Sequence, residues 1–457
     1  MRAERYKVVA EDIAAAIRVG DLPVGTRLPT HRELARQQGI ALATATKAYR
    51  VLAGAGLVVG EPGRGTYVRE LSGFAGPEPR RLPVEARVAD LSFNQPLAAE
   101  QAEQLRHILR DLSGAGDLGS LLIQQPPGGR TADKAAVATH LLDRGIDVPP
   151  ANVLLTAGAQ HGLDVVLTAI TDPGSTLAVD ELTYPGLKLL AAARHLDLAA
   201  VRCDPNGTDL QALEALVGQR KITAVYLIPT VHNPLGFVLD HESRARVAAL
   251  ARRHDILIVE DGTYAFLDPA APPPVQTFAP ERTIYVGSFS KSLATGLRAG
   301  YLVAPDAHLT ALTRALRATS WGTSSLTTAI VTRWLRDGTV TRLEKTRRDD
   351  ARERQTIARR TLAGFEYHAH PASYSSWLQL PEEIRSDQAA HRLAQTGILV
   401  STGDAFATGT RAPNALRIAL ANPSVHELPE LLDRCHDVLV SIPDRAAIST
   451  NVAPRDT

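Results

Sequence analysis

Residues 287–301 read GSFSKSLATGLRAGY. A lysine, Lys291, stands after two hydroxyls, Ser288 and Ser290, and before a guanidinium, Arg298. An amine desolvated near other cations can be held neutral, and a neutral amine is a nucleophile toward aldehydes. Hydroxyls with an arginine suit a phosphate. The stretch TAGAQHG (156–162) reads as a strand-to-helix turn that could present the amides of Gly158, Ala159 and Gln160 to an anion. Asp261 ends the apolar run DILIVED, where a carboxylate can pair with a buried cation. Tyr264 follows it, and Asn233 precedes a proline turn in PTVHNPLG. Singly these strings are common, and an Asp at a strand end is more often a helix cap or an ion-pair partner. What joins them is their place just behind apolar β-type runs, because ligand sites in α/β proteins form at strand carboxyl ends.

Those runs must therefore position the chemistry. NVLLTAG, STLAVD, ITAVYLIP, DILIVED, TIYVGS and AGYLVAP are near-continuously apolar, as expected of strands buried on both faces. Helical Ala/Leu/Arg stretches lie between them, which predicts an α/β layered domain over residues 90–310. Residues 311–443 begin with helix and continue with SSWLQL, GILVSTG and ALRIAL, a smaller α+β domain. Residues 71–89 carry prolines and no periodicity and read as a linker, and 444–457 read as a tail.

The first 70 residues have a different logic. RYKVVAEDIAAAIRVG has helical apolar spacing. LPTHRELARQQG offers a capping box, Thr30 with Glu33. ALATATKAYRVLAGAG is a third helix, and GLVVGE and GTYVRE are short strands around Pro62-Gly63-Arg64-Gly65. Three helices and a glycine-tipped hairpin describe a winged helix-turn-helix. A helix that enters the major groove needs small polar and basic side chains on one face. Thr44, Thr46, Lys47 and Arg50 are the candidates on the third helix, with Arg32 before it and Arg64 at the wing tip for backbone or minor-groove contacts. Eleven Lys/Arg against seven Asp/Glu leave residues 1–70 at net +4, while the whole chain is at +1. That asymmetry suits an anionic partner such as double-stranded DNA, although a solvated face or a protein-contact module would carry the same charge.

Composition excludes other classes. Of the 457 residues 44 % are hydrophobic and 22 % charged, which is globular rather than disordered. Cys203 and Cys435 form no CxxC and no disulfide framework, which suits a reducing cytoplasm. The charged start MRAERYKVVAED has no signal-peptide character, and no apolar run is long enough for a membrane span.

LPTHRELARQQGIALATATKAYRVLAGAGLVVGEPGRGTYV resembles the GntR-type winged helix in its LP-T-x-RELA segment, its A-Y-x-x-L helix core and its GRGTYV wing. Family members often carry a polar–Arg pair where this chain has Ala41-Leu42, so base reading must rest on other residues. The order GAQ, TYPG, HNPLG, EDGTY, SFSK with Arg298, then LRIAL resembles the class I/II aminotransferases, the fold type I enzymes of pyridoxal 5'-phosphate (PLP). That resemblance implies a mixed, mostly parallel sheet in an α/β/α layer. It also implies roles. Lys291 would form the Schiff base, Asp261 would hold the pyridinium nitrogen, and Asn233 and Tyr264 would bond the ring oxygen. Tyr184 would stack on the ring. Gly158, Ala159, Gln160, Ser288, Ser290 and Arg298 would bind the phosphate, and Arg417 a substrate or effector carboxylate. Gln124 and Gln125 stand where the family has a Tyr that reaches the partner subunit's phosphate. Gly262 replaces the last acid of an EDD triplet, a change expected to matter little.

Together the halves resemble the MocR family of regulators. The resemblance implies a head-to-tail homodimer with the DNA-binding domain of one chain lying on the other, DNA as a partner, and PLP used for sensing, with an amino acid or amine as possible effector. The alternatives are a catalytically active aminotransferase with an accessory DNA-binding module, a sensor of PLP alone, and a cofactor-free scaffold.

Overall fold

The computed structural model describes residues 5–19, 21–22, 26–54, 57–61, 65–68, 88–96, 101–114, 118–409 and 412–442. Residues 71–87 of the expected linker, Arg64, and the tail 444–457 lie outside the described residues.

The N-terminal module has helices Arg5–Val19, His31–Gln37 and Leu42–Gly54, as the spacing predicted. The Thr30 hydroxyl accepts the Glu33 amide at 3.3 Å and the Glu33 carboxylate accepts the Thr30 amide at 2.7 Å, so the capping box is closed at both ends. The strands Val58–Glu61 and Gly65–Val68 form the hairpin. A third strand, Arg27–Leu28, pairs antiparallel with Gly65–Val68; two residues are too short a run to show in the sequence. Val9, Ile17, Leu34, Ala45, Tyr49, Leu52 and Val68 close a separate small core.

The central sheet has seven strands in the order Val153–Thr156, Gly300–Val303, Thr283–Ser288, Leu257–Asp261, Ala224–Leu227, Thr176–Asp180, Asp197–Val201. Gly300–Val303 is antiparallel to both neighbours and the other pairings are parallel. Alternate residues go to opposite faces. Leu177, Val179, Val259, Ile284 and Leu302 join one core cluster, whereas Ala178, Val225 and Ile258 join another. Burial on both faces explains why these runs lack polar alternation. Asp197–Val201, in the sequence DLAAV, was not among the expected strands, because its alanines read as helix.

The smaller domain is a four-stranded antiparallel sheet, Glu366–His368, Ser375–Gln379, Ala415–Ala419 and Ser401–Thr402, covered by helices Ser386–Gln395 and Leu428–Val440. The packing does not follow the expected boundary at 310/311. Leu312 and Leu316 of helix Asp306–Ala318, and Ile330 and Trp334 of helix Ser325–Arg336, pack in the large domain's cores. The long helix Thr339–Thr361 bridges both parts, with Val340 and Leu343 in a large-domain cluster and Ala358 in the small-domain one. At the other end, Ala89–Asp90 pairs in parallel with Ile398–Leu399, and Leu91 is buried in the small-domain core. The chain thus enters its body through the small domain, not at the edge of the large one. A helix advertises its apolar stripe in sequence, but not which core will receive it.

Candidate functional site

Parallel adjacency of Ala224–Leu227, Leu257–Asp261 and Thr283–Ser288 brings their carboxyl ends to one edge. The loops that leave this edge carry Asn233, Tyr264 and Lys291. Lys291 Nζ donates to the Asn94 carbonyl oxygen at 2.6 Å and lies 4.3 Å from the centre of the Phe93 ring. Burial, and then the charges of Arg417 and Arg298, lower its amine to about 7.

Asp261 is buried, and burial pushes its carboxyl up from the ordinary range. Two donors oppose this: the Tyr226 hydroxyl reaches Oδ2 at 2.8 Å, and the Thr263 amide reaches Oδ1 at 2.9 Å. Burial, followed by the Asp261 charge, raises the Tyr226 phenol well above its usual value, so this hydroxyl stays a donor. Tyr184 and Tyr264 line the same space. Both phenols are pushed up mainly by burial, and both feel the charge of Asp261.

Gly158 caps helix Ala159–Ile170 with a positive φ of 87°, which a glycine adopts without strain. A Cβ there would lie 2.9 Å from the Arg298 guanidinium, so the glycine lets the arginine approach the helix start. Gln160 Nε2 donates to the Gly186 carbonyl at 2.9 Å, which turns its side chain away from the helix end and leaves its backbone amide in the first turn. Ser288 Oγ donates to the Ala299 carbonyl at 3.4 Å and accepts the Ser290 amide at 3.1 Å. Ser290 Oγ is itself buried with no hydrogen-bond partner among the described residues. Arg417 is buried on strand Ala415–Ala419. Its Nη1 donates to Ser375 Oγ at 3.4 Å, its Nε has no partner among the described residues, and its guanidinium lies 5.3 Å from the Phe406 ring centre. A buried, underpartnered guanidinium is costly unless an anion meets it.

Asn94, Phe93 and Tyr226 were not singled out in the sequence. Asn94 is buried, donates to Ser375 Oγ at 2.7 Å and accepts the Ala421 amide at 3.3 Å, so it ties the lysine's neighbourhood to the small domain. The polar FNQP break after DLS was the available signal. Tyr226 had none, because a tyrosine inside an apolar run reads as core. Gly262 is also more than a lost acid. A Cβ on it would run into the Tyr285 ring and hydroxyl, which occupy the space a side chain would need.

On the winged helix, Arg32, Lys47 and Arg50 are exposed and Thr44 and Thr46 are half-buried. Thr46 Oγ1 lies 3.2 Å from His31 Nδ1, and Lys47 Nζ lies 4.1 Å from the Tyr6 ring centre. Arg64 is outside the described residues.

The layered sheet and the lysine loop at its edge define the class: an aminotransferase-like fold with a winged helix in front. Residues 86–435 match aminotransferase class I and II, and residues 5–68 match the bacterial regulatory proteins of the gntR family. The chain belongs to the aminotransferase class I and II family and carries a gntR-type helix-turn-helix domain at its start. It is 26 % identical over 425 residues to the HTH-type transcriptional regulator YdeF of Bacillus subtilis strain 168, covering 92 % of this chain and 91 % of that one. It is 27 % identical over 455 residues to the HTH-type transcriptional regulator YjiR of Escherichia coli K12, covering 92 % and 95 %. The crystal structure of LysN of Thermus thermophilus, an α-aminoadipate aminotransferase complexed with N-(5'-phosphopyridoxyl)-L-leucine, matches with a TM-score of 0.72 at 25 % identity, over 78 % of this chain and 93 % of that one. Among the described residues no helix is long and apolar enough to cross a membrane, and no cluster of three or more His, Cys, Asp or Glu could hold a metal.

Proposed function

We propose that this chain is a transcriptional regulator that binds double-stranded DNA through its winged helix and PLP through its aminotransferase-like body. The observation that carries the reading is the buried Lys291 amine, donating to the Asn94 carbonyl and lowered to about 7, in a chain whose residues 5–68 match the bacterial regulatory proteins of the gntR family. The donor set fits a phosphorylated pyridine aldehyde. Lys291 would hold the aldehyde carbon, and Asp261 the ring nitrogen. Asn233 and Tyr264 would hold the ring oxygen and Tyr184 the ring face. Gly158, Ala159, Gln160, Ser288, Ser290 and Arg298 would hold the phosphate. The buried hydroxyl of Ser290, with no other partner among the described residues, supports that assignment. PLP, when bound, supplies an electrophilic carbon and an electron sink to an amine.

The residues do the rest. Lys291 must arrive neutral, and its surroundings favour that form near neutral pH. Asp261 must stay ionised to keep a proton on the facing nitrogen, and Tyr226 and the Thr263 amide favour the carboxylate. Arg417 would bind the carboxylate of an amino acid effector. Any regulation then requires that such a ligand bind two arrangements of the chain with different affinity. Incubation with PLP, borohydride reduction and peptide mapping test the site: the label belongs on Lys291 and is absent from Lys291→Ala. Footprinting of the upstream intergenic DNA with and without PLP tests the regulation. If protection ignores PLP, the reading fails.

A second reading, a working aminotransferase, uses Arg417 equally well, since a buried guanidinium suits an α-carboxylate in either case. Many cycles of keto-acid product from amino donors would select it. The same family membership supports a homodimer. Leu122 and Ile123, 89 % and 66 % exposed at the end of helix Leu118–Leu122, are large apolar side chains in need of cover.

A further inference from the structure

We infer that His161 sets the aim of the phosphate cup: its ring braces the turn at Ala157 and Gly158 against the end of helix Asp306–Ala318, so that the amides of Gly158, Ala159 and Gln160 face a phosphate already oriented. The inference rests on the PLP reading above. It names a positioning residue for that site, one that acts through the backbone and not by touching the cofactor.

His161 stands in the first turn of helix Ala159–Ile170, and its ring turns back over the start of that helix. Nδ1 accepts the Ala157 amide at 3.0 Å. The Ala157 carbonyl accepts Arg298 Nη2 at 3.4 Å, and the Gly158 carbonyl accepts Thr156 Oγ1 at 3.1 Å. Consecutive backbone groups just ahead of the helix are therefore held by side chains. Beyond them, the first amides of a helix have no acceptor within it, and a bound anion can take them. Their direction follows from the peptide planes that the imidazole, the guanidinium and the hydroxyl fix.

The far side of the ring rests on a fixed turn. Nε2 lies 2.8 Å from Thr319 Oγ1 and 3.3 Å from Ser320 Oγ. Each hydroxyl directs its single proton elsewhere. Thr319 donates toward the Ala315 and Leu316 carbonyls at 3.3 and 3.1 Å, and Ser320 to the Gly322 carbonyl at 3.1 Å. Both therefore accept from the ring, so Nε2 carries the proton and Nδ1 keeps the lone pair that the Ala157 amide uses. The turn is itself held. The Trp321 amide donates to the Leu316 carbonyl at 3.0 Å, and Trp321 Nε1 to the Gln125 carbonyl at 3.1 Å. Leu312 and Leu316 share a core with Leu163 and Val166 of the His161 helix, which makes the anchor and the cup one packed unit.

The neutral ring suits this strut. A proton on Nδ1 would set one N–H against another, that of Ala157. Burial lowers the ring's hold on a proton, Asp164 on the same helix opposes this, and Arg298 from the lysine loop adds to it. A residue that works through the phosphate cup alone has a recognisable signature. It matters to a ligand that carries a phosphate, and not to the same aldehyde without one.

The test compares PLP with pyridoxal, which lacks the phosphate, by absorbance titration of the full chain. His161→Ala should weaken PLP binding about tenfold, the size of one lost hydrogen bond, and leave pyridoxal binding within about twofold of wild type. His161→Asn keeps an acceptor near the Nδ1 position and should recover most of the loss. Thr319→Val lies on the exposed turn. It should weaken PLP binding in the same direction, and add little when combined with His161→Ala, because the two changes break one strut. Equal losses for PLP and pyridoxal make His161 a merely structural residue and overturn the inference. So does PLP binding that is unchanged in both His161→Ala and Thr319→Val. Should His161→Ala fail to fold, the same two-ligand comparison on Thr319→Val and His161→Asn decides. A wild-type chain that binds PLP no better than pyridoxal overturns the phosphate assignment and this role together, whereas a wild-type preference for PLP that the variants retain overturns His161 alone.

Discussion

Lys291 shows how one side chain's surroundings set its chemistry. Its amine is lowered to about 7 by burial and by two guanidinium groups. Below that pH it is protonated and inert, and above it neutral and reactive. The initial rate of PLP attachment, followed by absorbance, should therefore climb about tenfold per pH unit below 7 and level off above it. An unperturbed lysine would still be climbing at pH about 9. Tyr226 acts one step further out, on Asp261. Tyr226→Phe removes a donor to a buried carboxylate, a loss of ~1.5 kcal/mol or about tenfold in PLP affinity. Fluorescence titration checks this, and an unchanged affinity would remove Tyr226 from the site. The lysine, the aspartate and the phosphate-type residues were legible because polar groups behind apolar runs stand out. Tyr226 was not, because its role depends on a neighbouring strand that lies thirty-odd positions away.

At the scale of elements, glycines set how closely strands and loops approach. Gly262 follows strand Leu257–Asp261, and the Tyr285 ring of the adjacent strand occupies the space beside it. The motif pattern makes position 262 a tolerant loss of an acid; the packing makes it intolerant. Gly262→Ala should cost ~1–3 kcal/mol through overpacking, seen as a lower Tm in thermal denaturation. The strand pattern itself was well marked. Burial on both faces demands continuous apolar runs, and six of the seven central strands announce themselves that way. Asp197–Val201 did not, since its alanines suit a helix equally and only pairing with Thr176–Asp180 decides the matter.

The whole molecule joins a gntR-type winged helix to an aminotransferase-like body, and its outer surface bears on how many copies act together. If Leu122 and Ile123 lie in a homodimer interface, Leu122→Asp/Ile123→Asp should shift the sedimentation coefficient from dimer to monomer while Tm stays within a few degrees of wild type. An unaltered dimer would place the interface elsewhere. The order of motifs along the chain was enough to set the family and the winged helix ahead of an aminotransferase-like body, because local patterns of polarity and glycine follow directly from what a buried strand or a turn requires. Only the tertiary structure decided that Ala89–Asp90 and Leu91 belong to the small domain and that helices Asp306–Ala318 and Ser325–Arg336 pack on the large one. Those outcomes depend on which distant apolar or charged surface is complementary, and no local stretch of sequence carries that information.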